Sequence, residues 1–451
     1  MTDCTLSKIE FPRCRGRRVE ADFGGGDISS NGGVALVAAA DRRLGLLSGL
    51  ARRLDDARQP GKVTHGLLPL LRQRVYGLAL GWEDVNDHGG LRDDLALQTA
   101  VGCDGRLASP STVGRLDRAA GRDWAWAAHV LLVESFIASF DTAPAELVLD
   151  FDATDDAVHG CQVGRFFHGY YDRYCFLPLY VFCGDQLLVS YLRPSNVDGA
   201  KHAWAILALL VKRLRQEWPD VRIVLRADSG FCRHRMLNWC EGHDVGYIIG
   251  LAKNARLNAD AEMWMGWAEA AFRHSGDKQR LFAELRYGAR TWKRRRRVIA
   301  RLEHGPKGAN PRYVVTNLEG GGQSLYDGLY CQRGEMENRI KERQLDLFAD
   351  LPSPKRSVGF AQAGRTSCHD WWPNQFRLTL ASLAYTLIEA IRRVALAGTE
   401  MARAQAGTIR LRLLRIGAVV IRNTRRVSLH LSTACPDKAL FHLAAARLKP
   451  G

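Results

Sequence analysis

The chain has 451 residues, too many for one small core, so two to four domains are expected. With 46% hydrophobic and 25% charged residues it has an ordinary globular composition, which excludes fibrous and wholly disordered classes. The 64 Lys+Arg against 48 Asp+Glu leave a net charge of +16, a balance that favours a polyanionic partner such as DNA, because each phosphate neutralised releases counterions.

The eleven cysteines form no CxxC pair, and no basic segment followed by an apolar one opens the chain. That pattern predicts a reducing, cytoplasmic setting. The apolar stretch 376–391 carries Arg377 and Glu389 and is too short to span a bilayer, so no membrane partner is expected. Cys232, His234, Cys240 and His243 form the tightest cluster of soft ligands, but their spacing is irregular for zinc.

Residues 1–145 read as a mainly helical N-terminal domain after a glycine-rich start. Gly24 to Gly26, Gly32 and Gly33 lack the Gly-Lys-Ser/Thr ending of a phosphate-cradling loop, and turns are their expected use. Leu67, Leu70, Leu71, Val75, Leu78 and Leu80 have helical spacing, and Ser109 or Ser111 precedes a further helix as an N-cap.

From residue 146 the pattern changes. "ELVLDFDATDD" is an apolar strand ending in carboxylates, and two apolar strands flank Gly184-Asp185 as a hairpin. Residues 200–218 carry a helical stripe, "VRIVLRADSG" is a strand ending at Asp228, and "VGYIIGLA" is another. An antiparallel start followed by parallel crossovers predicts an α/β, ribonuclease-H-like mixed sheet over residues 146–253 and 312–400. Residues 254–311 read as an inserted β-rich domain, with ten basic and two acidic side chains between positions 277 and 301. There, Trp292 beside Lys293, Arg294, Arg295, Arg296 and Arg297 is expected to stack on a base and grip phosphates. Residues 401–451 form a basic α/β C-terminal region, whose positions 403–426 hold seven arginines and no acid and read as strands.

On a strand Asp150 and Asp152 share a face, and so dense a carboxylate pair implies a cation or a raised pKa. An aspartyl phosphatase would need a helix after its Asp-x-Asp and a second acidic pair; a hairpin and the lone Asp228 stand there instead. A metal nuclease needs carboxylates from separate elements. Asp152 and Asp228 end strands expected to be neighbours, and Tyr330, Arg333, Glu337, Lys341 and Gln344 advance by three, four, four and three along one helix face. Asp152, nearer the strand end, is preferred to its rival Asp150. Glu335 is expected to be solvent-exposed, Asp155 and Asp156 to cap the turn after the strand, and His159 and His168 to be structural or DNA-facing.

These residues carry a resemblance. Tyr330-x2-Arg333-x3-Glu337 resembles the Tyr-Arg-Glu-Lys signature of insertion-sequence 4-like DDE transposases with a group 1 DDE domain. The ordered motifs "LDFDATDDAVHG", "LRPSN", "LRADSGF" and "YCQRGEMENRIKERQLDLFAD" resemble the insertion-sequence 1380 family over nearly the whole chain. The resemblance implies that Asp152, Asp228 and Glu337 bind two Mg2+ or Mn2+ ions, with Tyr330, Arg333 and Lys341 positioning phosphates. It also implies an N-terminal domain that contacts DNA ends, a homodimeric synapse on terminal inverted repeats, transfer of the 3′-hydroxyl to target DNA, and a prokaryotic, nucleoid-associated setting. Gln344 stands at the signature's lysine position. An inactive end-binding regulator, or a nuclease without strand transfer, are the alternatives.

Overall fold

The computed structural model describes residues 8–341 and 366–449. The chain divides into two compact units, one of Met1–Ala51, Asp56–Leu116 and Ala390–Gly451, the other of Arg52–Asp55 and Asp117–Glu389. The first therefore joins the two ends of the chain, where the sequence suggested separate N- and C-terminal domains, and the helix Arg122–Ile137 falls with the second.

The first unit opens with the hairpin of β1 (Ile9–Cys14) and β2 (Arg17–Ala21) and the short β3 (Ile28–Ser29). Helices Val34–Leu44, Leu46–Ala51, Leu67–Leu80 and Leu95–Val101 follow. The apolar spacing expected at Leu70, Leu71, Val75, Leu78 and Leu80 is buried. The buried Asp41 accepts from the Leu47 N–H at 2.8 Å, the Tyr76 hydroxyl at 2.7 Å and Arg72 at 3.0 Å, partners a buried carboxylate requires.

The second unit contains β4 (Glu146–Ala153), β5 (Asp156–Ala157), β6 (Phe166–His168), β7 (Arg173–Phe176), β8 (Leu179–Cys183), β9 (Gln186–Tyr191), β10 (Arg222–Ala227), β11 (Gly246–Leu251), β12 (Gln279–Tyr287), β13 (Arg296–Gly305) and β14 (Gly308–Thr316). Eight of these form one mixed sheet in the order β12-β13-β14-β11-β10-β4-β8-β9. β4, β10 and β11 run parallel, and both flanks are antiparallel. The α/β expectation holds, but β12 to β14 do not make a sheet of their own. Their alternating apolar residues, Val298 and Ala300 among them, continue the core of the main sheet, which extends it by three strands.

Period-two alternation gives the central strands two faces. Leu147, Leu149, Phe151, Ile223, Leu225 and Ala227 enter the large core with the helix Ala203–Glu217. Val224 belongs to the smaller core of the opposite face, with Val148, Tyr326 and Tyr330 packed there. Asp150, Asp152, Arg226 and Asp228 fall in phase with that second face.

β15 (Ala418–Arg422), β16 (Val427–Leu431) and the helix Lys438–Arg447 belong to the first unit, and β15 pairs with β3. The stretch 408–431, expected to form one or two basic strands, instead begins as helix over Ala406–Ile409 and Arg410–Leu414, since Ile409, Leu413 and Leu414 bury one helical face. Gly32 and Gly33 form the expected turn, closed by the Val34 N–H donating to Asn31 O at 2.9 Å, and serve close backbone contact as well. Their N–H groups donate to Ile416 O and Leu414 O at 2.9 and 3.1 Å, and a Cβ on Gly33 would stand 1.9 Å from Leu413 O. Gly33→Ala is therefore expected to cost about 3 kcal/mol or more, whereas Gly105→Ala, with open space around it, stays near neutral; thermal unfolding of the two variants checks this.

Candidate active site

The β4–β10 register runs from Arg222 opposite Glu146 to Ala227 opposite Phe151. Continued by one residue, it sets Asp228 beside Asp152 at the C-terminal ends of two parallel strands, about 4.8 Å apart as neighbouring strands are. Both acids are half-buried. Asp228 is extended, at φ −77° and ψ −178°, and its Oδ1 accepts the Gly230 N–H at 2.8 Å, capping the turn Ser229–Phe231. Asp152 Oδ1 accepts the N–H of Ala153 at 2.9 Å.

Asp150 shares the face of Asp152 but has a different environment. It is 1% exposed and opposite Arg226 in the register, whose guanidinium grips both of its oxygens at 2.5 and 2.6 Å. Burial leaves the Asp150 carboxyl above its ordinary pKa although Arg226 pulls it down. Arg226 also donates from Nη1 to Leu329 O at 2.6 Å, and so ties the sheet to the helical turn Leu325–Tyr330.

That turn leads into the helix Arg333–Lys341, which packs on β4. The five-residue face expected from Tyr330 to Gln344 is interrupted, because Cys331 and Gln332 separate the two helical pieces. Tyr330 still reaches the acids: a Cβ on Gly250 would lie 2.7 Å from its hydroxyl and 2.8 Å from the Ser229 nitrogen, so Gly250 leaves room for that hydroxyl beside the Asp228 turn. Burial raises the Tyr330 phenol above its usual pKa, with Asp228 adding and Arg333, its hydrogen-bond partner, opposing. Arg333 is close enough to act on the charge of Asp150 as well. Further along, Met336 and Ile340 are buried, and Arg339 pairs with Asp185 at 2.7 Å in the turn between β8 and β9. The side chains of Glu337 and Lys341, and the whole of Gln344, lie outside the described residues. Arg226 and Arg339 were not anticipated. Alternation from Asp228 put Arg226 on the acidic face, where a buried carboxylate needs a cation, so that signal was present in the sequence.

A profile of the family described as transposase DDE domain, group 1, matches residues 11–450. The chain belongs to this family of DDE transposases. No curated protein matches the sequence. A solved structure similar to it is the piggyBac transposase synaptic complex with hairpin DNA, at 10% identity and a TM-score of 0.40, over 86% of this chain and 80% of that one. A likeness at that level carries no functional argument.

In this DDE transposase family member the basic segment expected to meet DNA splits in two. Lys293, Arg294 and Arg295 are exposed, Arg294 pairing with Glu241 at 2.8 Å. Arg296 is 3% exposed and gives its guanidinium to Glu241 and Asn238, while Arg297 pairs with Glu284 and donates to Leu318 O at 2.7 Å. Both belong to β13, where alternate positions face the interior, and this gives them structural partners. Trp292 is half-buried, edge-on to Tyr287 at 5.6 Å, with the Arg296 guanidinium 5.0 Å from its ring centre, so it serves as packing.

The carboxylate pair Asp152 and Asp228 has the donor chemistry of a hard divalent cation such as Mg2+ or Mn2+. Among the described residues no group of three or more His, Cys, Asp or Glu is arranged to hold a metal, and the expected third donor, Glu337, is outside them. The cysteine and histidine cluster does not converge either. Cys240 is buried, whereas His243 is exposed, stacked on Trp239 and bonded to its carbonyl at 2.8 Å.

Proposed function

We propose that this protein is an active DDE transposase of an insertion sequence, of the insertion-sequence 1380 type, that binds terminal inverted repeats, hydrolyses the ends and joins the freed 3′-hydroxyl to target DNA. The observation that carries the reading is the parallel register of β4 and β10, which brings Asp228, the residue after β10, level with Asp152, beside the helical turn that Arg226 anchors and the helix that Arg339 anchors. The antiparallel β4-β8-β9 meander beside parallel β10 and β11 supports a ribonuclease-H-like core. Asp152, Asp228 and Glu337 would hold two Mg2+ or Mn2+. When bound, such ions supply an activated water and charge stabilisation at the phosphate under attack.

The chain's own residues do the rest. Arg333 and Tyr330, bonded to each other beside Asp228, orient the phosphate. Arg226 keeps Asp150 occupied, so that the strand-end acid remains the one presented to the cation. Lys293, Arg294 and Arg295 take flanking phosphates, and Lys341 stands in for the lysine that Gln344 replaces. A homodimeric synapse on paired ends and a nucleoid location in a prokaryotic cytoplasm complete the proposal.

Incubating the protein with labelled element ends and Mg2+ or Mn2+ tests it. Metal-dependent nicking followed by joining is the expected result; absence of cleavage, or cleavage indifferent to metal, would overturn it. For the basic segment, Lys293→Ala with Arg295→Ala is expected to weaken binding uniformly across DNA sequences and to reduce the slope of log K against log salt by about one per lost contact. Arg296→Ala should act on thermal stability instead, because it removes the buried guanidinium that gives two bonds to Glu241 and one to Asn238.

A further inference from the structure

Between β4 and β8 the chain leaves the main sheet and folds β5, β6 and β7 into a small three-stranded sheet. Its root is fixed. Cys175 and Phe176 are buried, Phe176 meets the Trp371 ring at 5.6 Å, the Val163 N–H donates to His369 O at 2.9 Å, and Ser195 Oγ donates to Phe166 O at 2.8 Å. Its tip is built differently. Phe166, Phe167, Tyr170 and Tyr174 are all exposed, Tyr170 to 86% and Phe167 to 53%. Phe167 and Tyr174 stand edge to face at 5.7 Å, and the Arg165 guanidinium lies 4.5 Å over the Tyr174 ring.

Large rings held in water by a fixed scaffold mark a binding surface. Its place decides the occupant. β5 begins four residues after Asp152 and pairs with β7, which pairs with β6, and Arg173 of β7 stands 3.8 Å from Asp155, so the hairpin adjoins the strand end that carries Asp152. Flat rings interleaved with an arginine, on a chain of net charge +16, match a polyanion with π-faces.

We propose that the β6–β7 hairpin is a stacking platform for unpaired bases of the DNA strand led to the Asp152 end of the site, with Phe167, Tyr170 and Tyr174 taking the bases and Arg165 a phosphate. The proposal rests on the transposase reading, of which it specifies the strand contact. Fluorescence titration of the full chain uses a single-stranded oligonucleotide containing 2-aminopurine and the same sequence as a blunt duplex. Single-strand affinity is expected to fall roughly 5- to 150-fold for each ring removed in Phe167→Ala and Tyr170→Ala, with duplex affinity unchanged, and Tyr170→Trp is expected to restore it. Equal single-strand affinity in wild type and both alanine variants would overturn the platform. So would a dimer, measured by light scattering, that dissociates in those variants while single-strand affinity stays unchanged, since the face would then join two copies of the chain. End cleavage measured in parallel separates the two claims: cleavage by the wild type with base quenching lost in the alanine variants supports both, and cleavage without any single-strand effect of the variants removes the platform alone. If the wild type binds the strand through these rings but never cleaves, the transposase reading fails and the platform stands.

Discussion

Arg226→Ala is expected to lower the free energy of unfolding by about 3–5 kcal/mol, because it leaves Asp150 a buried carboxylate with its bidentate partner gone. The two side chains are 8% and 2% exposed, so water cannot replace the guanidinium. For a unit of this size each kcal/mol moves Tm by about 2–4 °C, which predicts a fall of roughly 6–20 °C. The same variant also loses the bond to Leu329 O that ties the sheet to the helical turn, so end cleavage should drop even below the melting transition. Replacing both partners, Arg226→Met with Asp150→Leu, should recover much of the stability, since a buried ion pair is often matched by apolar side chains of similar volume. Differential scanning calorimetry checks the two stability effects and an end-cleavage assay below the transition checks the third; an Arg226→Ala protein that melts with the wild type would show that the pair is not holding the strands.

The pair also explains how far the site could be read from sequence. Alternation along "LVLDFDATDD" and "VRIVLRADSG" fixed which residues share a face, because side-chain direction on a strand is local. It could not rank Asp150 against Asp152 by environment, since the partner of Asp150 lies 76 positions away. The register of two parallel strands is a long-range property, and only the folded sheet pairs Ala227 with Phe151, from which Asp228 follows beside Asp152. The same limit applied to the basic run. Five consecutive cations look alike as text, but Arg296 and Arg297 begin β13 and turn to Glu241 and Glu284, while Lys293, Arg294 and Arg295 precede the strand. Local sequence shows Gly32 and Gly33 as turn formers, which they are, but not the close approach of the backbone near Leu413, which is remote in the chain. The division into units was obscured for the same reason, as both chain ends build one body.

Asp152→Asn and Asp150→Asn should separate cleanly. The first removes a charge at a half-buried strand end and is expected to leave Tm nearly unchanged while reducing end cleavage by about a hundredfold or more, the scale of several kcal/mol of lost transition-state stabilisation. The second weakens a buried ion pair and should lower Tm, with cleavage falling in proportion to the folded fraction. Cleavage and melting curves on both proteins decide it, and an inactive, fully stable Asp150→Asn beside an active Asp152→Asn would exchange their roles.

The central claim is that the aligned strand ends of β4 and β10 present a carboxylate pair to a divalent cation. Calorimetric titration of Mn2+ into the wild type, Asp152→Asn and Asp228→Asn in the presence of end DNA measures it without depending on turnover. Saturable Mn2+ binding by the wild type, lost or strongly weakened in each variant whose Tm is unchanged, is the predicted result; Mn2+ binding of equal strength in all three would contradict it.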